Sequence, residues 1–139
     1  MSEIIKNYFK DISVGMHTTY EKQITSADVT AFAGISGDYN PLHIDDEFAK
    51  NSIFGERIAH GMLTASHISA ALNTLAGPGW IYVSQSLYFR APVKIGDVLK
   101  TTVKVKKCIS KKMLVEFSTD IKVADKLVLT GTATAKSPD

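Results

Sequence analysis

The chain has 139 residues, a length that suits one domain (residues 1–139) with a core large enough to stand without staples. Hydrophobic residues make up 45% and charged residues 22%, an ordinary globular balance. A formal net charge of +2 with no long run of like charge gives no footing for nucleic acid, and no stretch approaches the ~20 apolar residues of a membrane span.

The opening stretch MSEIIKNYFKDISVG carries charges throughout and lacks the apolar centre of a signal peptide, so the cytoplasm is the simplest compartment. HTTYEKQI then predicts a first strand, with His17 on its surface. Thr25 or Ser26 can cap a helix whose apolar positions Val29, Phe32, Ala33 and Ile35 recur at helical spacing, and Gly37 is a natural stop.

GDYNPLHID, residues 37–45, follows. It sets Asp38 and His43 five residues apart, about 500° of helical rotation, so a continuous helix would point them roughly 140° away from each other. Pro41 interrupts such a helix and biases Asn40 toward extended geometry. A bend there could bring an acid and an imidazole to one spot, and groups with ordinary pKa values of ~3.9 and ~6.5 can exchange protons near neutrality. The plainer reading stays open, because Gly, Asp, Asn and Pro are also the usual turn formers.

Asp45 and Asp46 open a short helix in DDEFAKN. RIAHGML places His60-Gly61 where HGMLTASHISAALNTLAG begins as the main helix, ending at Gly77 before Pro78. Met62, Leu63, Ala65, Ile68, Ala71, Leu72 and Leu75 make it apolar nearly all round, which predicts burial. Its first turn presents unpaired N–H groups, and glycine there lets a carbonyl approach; simple helix entry would look the same. After Trp80 the rhythm becomes that of four strands: IYVSQSLYFRAPV, DVLKTTVKVKKCI, KMLVEFSTDIKV and KLVLTGTATAK. The order predicts an α+β domain in which a curved antiparallel sheet wraps one long helix.

Other chemistries have little support. Cys108, the one cysteine, lies in a strand-like run and reads as a structural thiol. His60 and His67 with Asp45 and Asp46 lack HxxxH or HExxH spacing, so no metal is expected. A serine elbow, a GxGxxG and a P-loop are all absent, and no cofactor is expected.

Taken together, FAGISGDYNPLHIDDEFAKNSIFGERIAHGMLTASHISAAL and IYVSQSLYFRAPVKIGDVL resemble the MaoC-like family, most closely its (R)-specific enoyl-CoA hydratases. GDxNPLH followed some fifteen residues later by HGM is the specific combination. The resemblance implies a hot-dog fold, a homodimer or higher homo-oligomer, and reversible hydration of a trans-2-enoyl thioester. It matches Asp38 and His43 to the catalytic pair, Gly61 to the backbone donor facing the thioester carbonyl, and Ser69 to a serine of that site. Asn40 falls inside the motif as a loop-shaping residue, with His60 and Met62 beside the substrate and Leu72 limiting channel depth. The acyl-CoA phosphates need cations, for which Arg57, Arg90, Lys94 and the Lys106-to-Lys112 group are candidates. A dehydratase acting on acyl-carrier-protein substrates, a hot-dog thioesterase and a non-catalytic acyl-CoA-binding protein are the rival expectations.

Overall fold

Alternation sets the sheet. In β4 (Val98–Ile109) Leu99, Thr101, Val103 and Val105 point inward while Lys100 and Lys104 face out. In β5 (Leu114–Val123) the inward set is Val115, Phe117, Thr119 and Ile121. In β6 (Lys126–Lys136) Leu129, Ala133 and Ala135 share one phase, and Val128 beside them is buried as well. A period of two buries one face only, which is how an antiparallel sheet covers a core on one side. These strands come from a computed structural model that describes residues 7–138, so the first six residues of the stretch read for a leader lie outside it.

β1 (His17–Gln23) and β2 (Ile81–Gln85) complete an antiparallel sheet of order β1-β4-β5-β6-β2, and the short β3 (Tyr88–Phe89) also pairs with β6. After α1 (Ser26–Ser36), α2 (Pro41–Ile44) and α3 (Asp46–Lys50), the long helix α4 (Gly61–Ala76) lies against β4 and β1 and buries Leu63, Ile68, Ala71, Leu72 and Leu75. This is the hot-dog arrangement that the resemblance implies. Phe117, fully buried at the centre of β5, contributes roughly 1.5–3 kcal/mol by leaving water. No helix among the described residues is long and apolar enough to cross a membrane.

Two expectations need correcting. The stretch IYVSQSLYFRAPV is two strands, so five strands follow the helix among the described residues, not four. The break has a cause at Gly131 on β6, where an added Cβ would stand 1.8 Å from the Ser86 carbonyl oxygen. Only glycine lets the chain cross so closely, and Ser86 holds the crossing by donating its N–H to the Thr132 carbonyl at 2.9 Å. Nor is α4 covered all round: Met62, Ser66, Ser69 and Asn73 form an exposed stripe at helical spacing.

Candidate functional site

The site begins with the end of a helix. α1 (Ser26–Ser36) starts in a capping box, in which Thr25 Oγ1 accepts from Asp28 N–H at 3.1 Å and Asp28 Oδ2 accepts from Thr25 N–H at 2.9 Å. Lys22 also bonds Asp28 at 2.8 Å, and these donors hold its carboxyl down at about 2. α1 stops at Gly37, whose left-handed φ of 79° sends the chain out of the helix.

Asp38 emerges there under control. Its N–H donates to Ser36 Oγ at 3.1 Å, and its Oδ1 accepts from Asn40 N–H at 3.1 Å. Asn40 Oδ1 in turn caps α2 (Pro41–Ile44) by accepting from Leu42 N–H at 3.0 Å, and Pro41 takes the first helical position. The turn-former reading and the bend reading therefore describe the same residues: the turns are what hold the acid. α2 carries His43 inward, where 8% of it remains exposed.

His43 Nδ1 lies 2.8 Å from the Ile58 carbonyl. A carbonyl only accepts, so Nδ1 carries the hydrogen and Nε2 keeps its lone pair. Asp38, His43 and His60 each bring one carboxylate oxygen or ring nitrogen to within 4.8 Å of the others. One water making two hydrogen bonds spans up to about 5.6 Å, so a single water can touch the acid and the imidazole together.

A cavity of about 350 Å³ opens beside His43, bounded by Gly61, Thr64, Phe54, Phe89 and Arg90 among others. Gly61 is the first residue of α4, so its N–H belongs to the unpaired first turn. Phe89 closes over it: a Cβ at Gly61 would stand 2.8 Å from the Phe89 ring.

The other expected residues divide. Ser69 and Leu72 line a second cavity of about 280 Å³ with Trp80 and Tyr82, and Ser69 is eight residues up α4 from Gly61, roughly 12 Å along the helix. Within one chain, then, Ser69 is not gathered with Asp38 and His43. Burial pushes the Tyr82 phenol up to about 12, and its hydroxyl donates to Gln85 Oε1. Met62 is 58% exposed on the uncovered stripe of α4.

His60, expected at the substrate, is instead 2% exposed and stacks under the His43 ring with centroids 4.0 Å apart. Arg57, expected at the phosphates, is occupied inside the chain. Its Nε donates to the His43 carbonyl at 2.7 Å, and its Nη1 lies 3.4 Å from Ser26 Oγ and 3.7 Å from Asp46. Lys94 reaches Glu56 at 3.4 Å, while Arg90 is exposed at the cavity edge, the better placed of the three for an anionic ligand. Lys106 lies 3.4 Å from Thr132 Oγ1. The Ile58 carbonyl that orients His43 left no trace in the sequence, because any residue carries one.

Asp38, His43 and His60 also have the mutual spacing of a metal site, a trio that the sequence spacing did not suggest. The geometry does not favour an ion. The two imidazoles are stacked at 30°, so their in-plane lone pairs run side by side instead of converging.

Comparison with known proteins gives the chain relatives in sequence and in fold. Residues 10–126 match the family described as the MaoC like domain. The chain is 47% identical to the (R)-specific enoyl-CoA hydratase of Rhodospirillum rubrum, over 98% of this chain and 95% of that protein. It is 46% identical to the 3-hydroxybutyryl-CoA dehydratase of Methylorubrum extorquens, over 94% and 84%. In structure it is similar to an (R)-hydratase from A. caviae involved in PHA biosynthesis, with a TM-score of 0.90, 39% identity, and coverage of 93% of this chain and 99% of that one.

Proposed function

The chain belongs to the MaoC-like domain family, and from that premise we propose that it is an (R)-specific enoyl-CoA hydratase, a hydro-lyase that interconverts trans-2-enoyl-CoA and (R)-3-hydroxyacyl-CoA. The observation that carries the mechanism is the Asp38 carboxylate and His43 imidazole within 4.8 Å, with His43 on the rim of a cavity that also contains Gly61.

In the proposed reaction one water sits between Asp38 Oδ2 and His43 Nε2. Its oxygen attacks Cβ, and the π pair of the double bond shifts toward the thioester carbonyl as an enolate. One member of the pair takes the water's proton, and a proton returns to Cα from the same side. Atoms balance with water as the sole co-reactant, and the reverse path is dehydration. The charge that develops on the thioester oxygen is met by the Gly61 N–H at the positive end of α4.

The proposed assembly is a homodimer. Ile81 and Val83 on β2 and Tyr88 and Phe89 on β3 are 60%, 54%, 64% and 53% exposed, a run of apolar side chains at one edge of the sheet. Edges of this kind invite pairing with another chain, and the exposed stripe of α4 would be covered at the same junction. Light scattering should give at least twice the 15.1 kDa chain mass; a fully active monomer would contradict the interface.

Loss of the conjugated enoyl-thioester absorbance tests the activity, with crotonyl-, hexenoyl- and octenoyl-CoA as substrates. The expected product is the (R)-3-hydroxyacyl-CoA, with no free thiol released. Inertness toward all three, together with turnover of an acyl-carrier-protein substrate, would move the proposal to the other carrier. Release of free CoA would replace it with thioester hydrolysis.

A further inference from the structure

His60 is one of the most buried polar residues among those described, yet its side chain neither makes a capping bond to the helix it precedes nor borders the cavity. Its Nε2 lies 3.0 Å from the backbone carbonyl of Asp38. That oxygen only accepts, so Nε2 carries the hydrogen and donates it. The opposite nitrogen, Nδ1, is then a buried lone pair, and no hydrogen-bond partner meets it. The ring is clamped between His43, stacked at 4.0 Å, and Phe32 of α1, tilted at 4.9 Å.

An aromatic clamp alone would favour a nonpolar ring here. Phenylalanine would fill the same slot and strand no acceptor, whereas a buried acceptor without a donor is destabilising. The one thing histidine adds is the hydrogen bond to Asp38. That bond falls where the chain has just left α1 and where Asp38 is otherwise exposed and tied only to Ser36 and Asn40 nearby in sequence. His60 supplies the long-range tether, from the root of α4 across 22 residues.

We propose that His60 is a positioning residue: its Nε2–H pins the Asp38 backbone so that the carboxylate stays in reach of the water shared with His43. It touches no substrate. The inference rests on the assignment of Asp38 and His43 as the water-activating pair. It explains why the histidine directly before Gly61 is turned inward and away from the ligand cavity.

The test compares three variants with the parent protein on crotonyl-CoA. His60→Phe keeps the stack and removes the bond. His60→Gln can place its Nε2–H near the lost donor, whereas His60→Asn is too short to do so. Positioning predicts that His60→Phe lowers kcat about 10- to 100-fold, with KM within about twofold and a melting temperature that does not fall. His60→Gln should recover much of the loss and His60→Asn little. The double variant Asp38→Asn with His60→Phe should turn over no more slowly than Asp38→Asn alone, because displacing a carboxylate that is already gone has no further effect. Parental kcat in His60→Phe overturns the proposal, as do equal losses in Gln and Asn or fully additive losses in the double variant. If Asp38→Asn itself stays active, the pair assignment fails on its own account, and a His60→Phe defect in that background would show that His60 acts by another route.

Discussion

Replacing Gly61 with alanine probes the proposed oxyanion contact with the least disturbance elsewhere. The backbone of Gly61 is not left-handed and begins a helix, so alanine meets no conformational barrier there. The obstacle is steric. The new Cβ would fall 2.8 Å from Phe89 Cε1 and 3.2 Å from both Cδ1 and Cζ, short of ordinary contact at 3.4 Å by about 0.6 Å (3.4 minus 2.8). Phe89 is 53% exposed in a single chain, so its ring can swing out there and the fold should survive, while light scattering checks that the proposed edge contact does too. The methyl and the displaced ring would then crowd the space through which a thioester oxygen reaches the Gly61 N–H. Losing one such donor costs roughly 10²–10³ in kcat, or about 2.7–4 kcal/mol. Steady-state hydration of crotonyl-CoA beside a thermal melt reads both effects. The expected result is a fall of that size in kcat with a melting temperature changed by only a few degrees. Adding Phe89→Ala removes the displaced ring but leaves the methyl, so it should restore activity only in part if access to the N–H is what matters. Parental kcat in Gly61→Ala would refute the oxyanion role.

Arg57→Ala should lower kcat more than it raises KM, and should also lower the melting temperature, because the guanidinium holds the His43 carbonyl at 2.7 Å; a charged hydrogen bond of this kind contributes about 1.5–3 kcal/mol. A pure KM effect would return Arg57 to the phosphate-binding role expected from sequence. Asp28→Asn should destabilise the fold at neutral pH by at most about 1 kcal/mol, given how exposed the Lys22–Asp28 pair is. The Asp28 carboxyl is held down to about 2, so its contribution is complete above the unfolded value near 4 and fades as pH falls toward 2. Parent and variant melting curves should therefore converge in acid, and a gap that persists at pH 2 would contradict the ion-pair account.

Much of this architecture was legible because local rules coincide with the global fold. Thr25 and Gly37 bound α1 as capping chemistry requires, and the strand periods of β4 and β5 match their buried faces. The bend at Asn40-Pro41 was readable too, but the residues alone left the turn-former reading open, and it was the resemblance that singled out Asp38 and His43 as a pair. What stayed hidden depends on contacts distant in sequence. Nothing around Ser86 announces that its carbonyl will cross Gly131 and split a strand. The charges of Arg57 and Lys94 were visible, but their partners His43, Asp46 and Glu56 lie elsewhere in the chain. The inward turn of His60 depends on a carbonyl 22 residues away. The apolar richness of α4 suggested burial on every side, while the stripe from Met62 to Asn73 is open in a single chain.

The most direct test of the water-activating pair is turnover of crotonyl-CoA by Asp38→Asn, His43→Gln and the double variant, each with its melting temperature. Both side chains act on one water, so each single change should lower kcat about 10²–10⁴-fold, the double should be little worse than either single, and all three proteins should melt within a few degrees of the parent. Near-parental turnover in either single variant, or losses of activity that merely follow losses of stability, would contradict the account.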